Sequence, residues 1–153
     1  MKILEILDRE RILPELHSRN KRDVIHELVD PVVKRNSRVN PGNLVEILLE
    51  REKLGSTGIG DGVAIPHGKV PNIDKLWASF GRSREGIDFD ALDGKPSHLF
   101  FLLVAPENSA GAHLKALARI SRLLKDASFR ENLLAAKTKQ ELYEIIAEED
   151  NKY

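Results

Sequence analysis

A chain of 153 residues, 41% hydrophobic and 31% charged, has the length and composition of one globular domain in water, able to hide roughly 68–70% of its unfolded surface without staples. Its 24 Lys and Arg offset its 24 Asp and Glu, which removes any electrostatic reason to expect nucleic acid as a partner. The absence of cysteine excludes disulfides, thiolate metal sites and Cys nucleophiles, and no segment nears the ~18 apolar residues of a membrane span, so a cytoplasmic protein without direct membrane insertion is expected.

In chain order, residues 2–8 suit a short helical turn and residues 10–16 a short strand centred on Ile12 and Leu13. From Asn20 a helical pattern runs through Val24, Ile25, Leu28 and Val32, with Pro31 expected to bend or interrupt it. Asn40-Pro41 reads as an N-cap followed by proline at the first helical position. Leu44, Val45, Leu48 and Leu49 follow at helical spacing, and Gly55 supplies a stop. Residues 77–81 suggest a strand, and 88–96 a turn-rich connection around Asp93-Gly94. Residues 99–104 are almost wholly apolar, as a strand buried on both faces requires. Three helices close the chain. One starts near Ser109, and the other two open at Ser128-Phe129-Arg130-Glu131 and Thr138-Lys139-Gln140-Glu141, both with capping-box spacing. Strands interspersed with helices point to a single layered α/β domain with a mixed sheet.

The run GSTGIGDGVAIPHGK, residues 55–69, is of another kind. Five glycines (55, 58, 60, 62 and 68) carry an entropic cost that some tight backbone path or close approach must justify. Successive N–H groups in such turns can form an anion-binding nest. Neither a Walker loop nor a dinucleotide fingerprint fits the spacing. His67 stands between Pro66, which fixes φ beside it, and Gly68, which leaves room. The run therefore presents a nucleophilic imidazole on a constrained backbone. On spacing alone it reads equally well as a turn histidine that is merely packed or solvated.

Preceded by Arg51-Glu52-Lys53-Leu54, this run resembles the phosphorylation-site signature of the fructose/mannitol/nitrogen-regulatory enzyme IIA domains of the bacterial phosphoenolpyruvate-dependent phosphotransferase system. FDALDGKP (89–96), LFFLLVAP (99–106) and AHLKAL (112–117) extend the likeness over nearly the whole chain, 1–153. The resemblance implies a three-layer α/β/α sandwich. It implies a phosphocarrier in which His67, through Nε2, accepts a phosphoryl group from an HPr-like protein with no cofactor. The lone domain tilts the reading to a nitrogen-branch regulator acting on target proteins. The alternative is a sugar-specific IIA component that passes phosphate to an enzyme IIB domain.

Two further residues gain roles by the resemblance. His113, in helical register with Leu117, Ile120 and Leu124, would by pattern alone be a core-edge histidine; the likeness makes it a second active-site histidine that orients the phosphoryl group. Arg51 would otherwise be a helix C-terminal cation, and the likeness puts its guanidinium fork on phosphate oxygens. Ser56, Thr57 and Gly68 are phosphate-loop candidates. His17, His26 and His98 read as structural, and no pair of histidines has metal-ligand spacing.

Overall fold

The computed structural model describes residues 1–153. Its spine is a long antiparallel pair, β5 (Trp77–Ile87) and β6 (Ser97–Pro106). β1 (Ile12–Leu13) lies parallel to β5. Along its other side β6 takes two short parallel strands in succession, β3 (Val63–Ala64) and then β4 (His67–Val70), and β2 (Gly58–Gly60) closes that edge antiparallel to β3. The sheet is mixed, as expected.

β6 shows why its pattern is continuous rather than alternating. Leu99, Phe101, Leu103 and Ala105 face one apolar cluster, and Phe100, Leu102 and Val104 face another. Helices α1 (Lys21–Val33) and α2 (Pro41–Lys53) cover the second face. Helices α3 (Ala110–Leu124), α4 (Ala127–Ala135) and α5 (Lys139–Asp150) cover the first, giving three layers. Edge-to-face pairs Phe80–Phe101 and Phe89–Phe100 anchor the two sides.

The ends of the helices follow local chemistry. Asn20, Asn40 and Thr138 accept from the N–H groups of Asp23, Asn43 and Glu141, and Gly55 follows α2 at φ +146°. Four expectations need correction. Pro31 does not interrupt α1: it stands in the last turn, where the Lys34 N–H still reaches the Asp30 carbonyl at 3.1 Å. α4 is capped by Asp126 and not Ser128, because the Asp126 carboxylate accepts from both the Ser128 and Phe129 N–H groups. The first strand shrinks to two residues because tight helical turns at Ile3–Glu5 and Arg9–Arg11 occupy its approach, while β5 runs six residues beyond the expected end at 81.

Candidate functional site

The glycine-rich run is a broken strand rather than a loop. Gly60, Asp61 and Gly62 all take positive φ (98°, 57° and 76°), forming the turn from β2 to β3. That turn lies about four residues, or ~13 Å, along β6 from His67, since Val63 pairs with Leu99 and His67 with Leu103. These glycines therefore serve the hairpin and make no anion nest beside His67. The strand then breaks at Ile65-Pro66. Pro66 has no N–H to give, but its carbonyl accepts from Leu103 N–H at 3.0 Å, and pairing resumes at His67.

The break leaves the Ile65 carbonyl free to accept from Nδ1 of the His67 ring, 2.8 Å away. A carbonyl only accepts, so Nδ1 carries the proton and Nε2 keeps its lone pair. The His67 imidazole is half-buried. Its pKa is held below the usual value of 6.5, first by burial and also by the charge of Arg51, against the opposing pull of the Ile65 carbonyl and Glu52. The ring is thus neutral and correctly tautomerised at pH 7.

His113 stands in the first turns of α3, its ring edge-on to His67 with centroids 5.5 Å apart. It is buried, and its pKa is lowered by that burial and then by His67 and Lys69. Its Nδ1 is shut away without a partner. The N-cap Ser109 gives its hydroxyl to the Pro106 carbonyl at 2.6 Å and makes no side-chain bond to the helix, so the α3 N-terminus beside His113 has no side-chain cap.

Arg51 comes from the last turn of α2, where its Nη1 donates to the Gly55 carbonyl at 2.8 Å. Gly68 brings that helix in: a Cβ there would stand 3.1 Å from Ile47 and 3.4 Å from Leu48, so α2 packs on bare β4 backbone. An open depression of about 560 Å³ results, shared by Arg51, His67, Gly68, Lys69 and His113, with Glu50 as its one carboxylate, and edged by Leu54 and Leu114, which are 85% and 65% exposed.

Ser56 and Thr57 do not line it. The Ser56 hydroxyl donates to the Phe89 carbonyl, and both the N–H and the hydroxyl of Thr57 are taken by Glu52. Glu52 itself was missed by the sequence reading. It is buried, and it also pairs with Lys21 at 3.1 Å, which bonds Asp90 in turn. The signal was present: Leu44, Leu48 and Glu52 fall at steps of four, so a carboxylate occupies a place on the buried stripe of α2. Lys69 was legible too, since residues two apart on a strand share a face. His17 and His26 are exposed, and His98 Nδ1 bonds the Ser83 carbonyl at 2.9 Å. No group of three His, Cys, Asp or Glu side chains is placed to hold a metal ion, and no helix is long and apolar enough to cross a membrane.

Known proteins resemble this chain in sequence and fold. A nitrogen regulatory protein of Bradyrhizobium diazoefficiens is 43% identical over 147 residues, covering 96% of this chain and 95% of its own. The fructose-specific EIIABC component of Bacillus subtilis is 39% identical over 98% of this chain, which spans 24% of that longer protein. Among solved structures, nitrogen regulatory protein IIA-Ntr from Neisseria meningitidis superposes with a TM-score of 0.88 at 37% identity, covering 94% of this chain and 98% of the other. Mannitol enzyme IIA of Escherichia coli, solved in complex with phosphorylated enzyme IIB, gives 0.78 at 26% identity over 93% and 97%. The family model described as phosphoenolpyruvate-dependent sugar phosphotransferase system, EIIA 2, matches residues 5–149, and the chain belongs to that family.

Proposed function

We propose that the whole chain, 1–153, is one phosphocarrier domain in which Nε2 of His67 accepts a phosphoryl group from an HPr-like protein. The observation that carries this reading is the bond from His67 Nδ1 to the Ile65 carbonyl, which leaves Nε2 as a fixed, unprotonated nucleophile in a cationic depression. In the transfer, the Nε2 lone pair forms the new N–P bond as the bond from phosphorus to the donor's nitrogen breaks. The released pair stays on the donor imidazole. Nδ1–H becomes more acidic as the ring takes on positive charge, and the Ile65 carbonyl then holds it more strongly.

Such a step needs positioning and charge stabilisation more than covalent help. His113 supplies a donor. Its buried Nδ1 has nothing to give a proton to, so the neutral ring is better served with the proton on Nε2. The α3 N-terminus beside it favours negative charge. Arg51 adds a guanidinium with donors to spare after Gly55. Gly68 acts through spacing, by admitting α2. Leu54 and Leu114 form the apolar rim on which a carrier protein docks.

Two fates of the phosphate follow from the relatives. Likeness to the nitrogen regulatory proteins, over nearly the full length of both chains, favours a regulator. Its phosphorylation adds roughly −1.5 to −2 charges at His67 and so changes which target proteins bind. Likeness to fructose and mannitol components supports passage to an enzyme IIB domain. Incubation with phosphoenolpyruvate, enzyme I and HPr should give an acid-labile adduct of one phosphoryl group by mass, and none on His67→Ala. Wild type without adduct refutes the carrier, and labelled His67→Ala refutes the site. Rapid discharge on adding purified IIB and sugar identifies the transport branch, and retention of the adduct identifies the regulatory one.

A further inference from the structure

A second cationic cavity, about 310 Å³, lies against β5, β6 and α4, lined by Arg82, Arg84, His98 and Leu134. None of the four is acidic. Arg82 is 0% exposed and forms no direct ion pair; Glu15 and Glu141 act on it only by charge. Its Nε donates to the Pro14 carbonyl at 3.2 Å and its Nη1 to the Leu133 carbonyl at 2.8 Å and to that of Ala136. Those last two carbonyls belong to the C-terminal end of α4, so Arg82 caps that helix. Capping explains why the side chain is there, but it leaves the guanidinium without a directly bonded carboxylate and Nη2 without a partner, shut off from solvent.

No neighbour bonds Nη2. Arg84 touches the Ala136 carbonyl only at 3.5 Å, and the nearest acid, Glu15, stands 3.9 Å from its Nε with both side chains more than half exposed. His98 donates its Nδ1–H to the Ser83 carbonyl, so its Nε2 carries a lone pair and no proton to give. Burial, and then the charge of Arg84, hold the Arg82 pKa below its ordinary value against the opposing pull of Glu15 and Glu141.

We propose that this cavity binds a small dianionic oxyanion, a phosphate or dicarboxylate group of a free metabolite. The anion would accept from Arg84 and from the unpartnered Nη2 of Arg82, with Leu134 as the apolar wall and the His98 ring beside it. A space of about 310 Å³ equals about ten water volumes, which accommodates such a molecule. Leu134, 43% exposed, is the outer wall, which must swing aside for the anion to reach Nη2. The site shares no residue with the His67 depression. It lies about 13 Å along β6 from it, because Arg82 pairs with Leu99 and His67 with Leu103. It therefore stands or falls independently of the phosphocarrier reading.

The test is titration of the full chain with sodium phosphate and, separately, sodium succinate at constant ionic strength, followed by amide and imidazole NMR shifts. Saturable shifts are expected at Arg84, His98 and Leu134. Arg84→Gln should weaken them about tenfold by removing one charge-assisted donor, and Arg84→Glu should abolish them. Phosphoryl uptake by Arg84→Gln should match wild type, as that residue is remote from His67. Saturation by phosphate alone assigns a phosphoryl ligand, by succinate alone a dicarboxylate, and by both the shared oxyanion chemistry. Shifts confined to Arg51, His67 and His113, no saturation by either anion, or undiminished binding by Arg84→Gln would overturn the proposal.

Discussion

The molecule carries two cationic hollows about 13 Å apart along β6, and they differ in what their charge is for. Around His67 the cations Arg51 and Lys69 sit at an open surface, beside a neutral imidazole whose lone pair a backbone carbonyl has aimed outward. Around Arg82 the charge is locked inside, held by neutral carbonyls, and the histidine there has no second histidine beside it. A backbone carbonyl fixes the tautomer of the histidine in both hollows, and what distinguishes the first is the second imidazole 5.5 Å from His67.

Substitutions can break that contrast. The largest effect is expected from His113→Ala, which removes the donor beside His67. Phosphoryl uptake should slow by about 10²–10³-fold in a rapid-quench assay while the thermal midpoint changes little. A rate within a few-fold of wild type would return His113 to a packing role. Arg82→Met should do the reverse. It strips the Leu133 and Ala136 carbonyls of their donor and should cost about 2 kcal/mol in urea unfolding, with uptake by the folded protein unchanged.

Gly68→Ala sharpens the comparison at the boundary between packing and chemistry. Its new Cβ meets the Ile47 side chain at 3.1 Å, so that contact must give by a few tenths of an ångström, and where α2 itself yields, Arg51 moves with it. A stability loss of about 1–3 kcal/mol together with slower uptake is expected, whereas a stability loss with normal uptake would show that the placing of Arg51 is tolerant.

The smallest effect is one of pH. Burial, the leading cause at both residues, holds His67 and His113 below 6.5, so Nε2 of His67 remains a free lone pair through the ordinary histidine range. Uptake should stay level from pH 8 down to about 6.5 and fall only below it. Below that value the unfolded chain binds more protons at these two positions than the folded one. Their contribution to stability is thus on its plateau above about 6.5 and declines as the pH falls through the lower folded values. A rate already halved at pH 7, or imidazole NMR titrations centred above 6.5, would contradict this.

How far the sequence could be read depended on the range of each interaction. The unbroken apolar run of β6 came from a strand with a cluster on each face, and the Asn20, Asn40 and Thr138 caps act over three residues, so all were legible. The same locality misled at residues 126–131. There the capping-box spacing from Ser128 was real, but the carboxylate two residues earlier is the stronger acceptor at a helix N-terminus. Pro31 misled for a like reason, because a missing N–H in a last turn removes one bond and does not end the helix.

By itself the sequence determined the layered α/β plan, the singular glycine-rich run and the likeness that drew attention to His67, Arg51 and His113. Only the tertiary structure decided that the run is a broken strand whose Ile65 carbonyl fixes the tautomer of His67. The structure alone also brought a ring 46 positions further along the chain edge-on to it, committed Ser56 and Thr57 to Phe89 and Glu52, and closed Arg82, Arg84 and His98 around one cavity. The reason is physical. Propensity, capping and period act between near neighbours in the chain, whereas tautomer, desolvation and an unpaired buried charge depend on which distant groups the packed sheet and helices bring within a few ångströms.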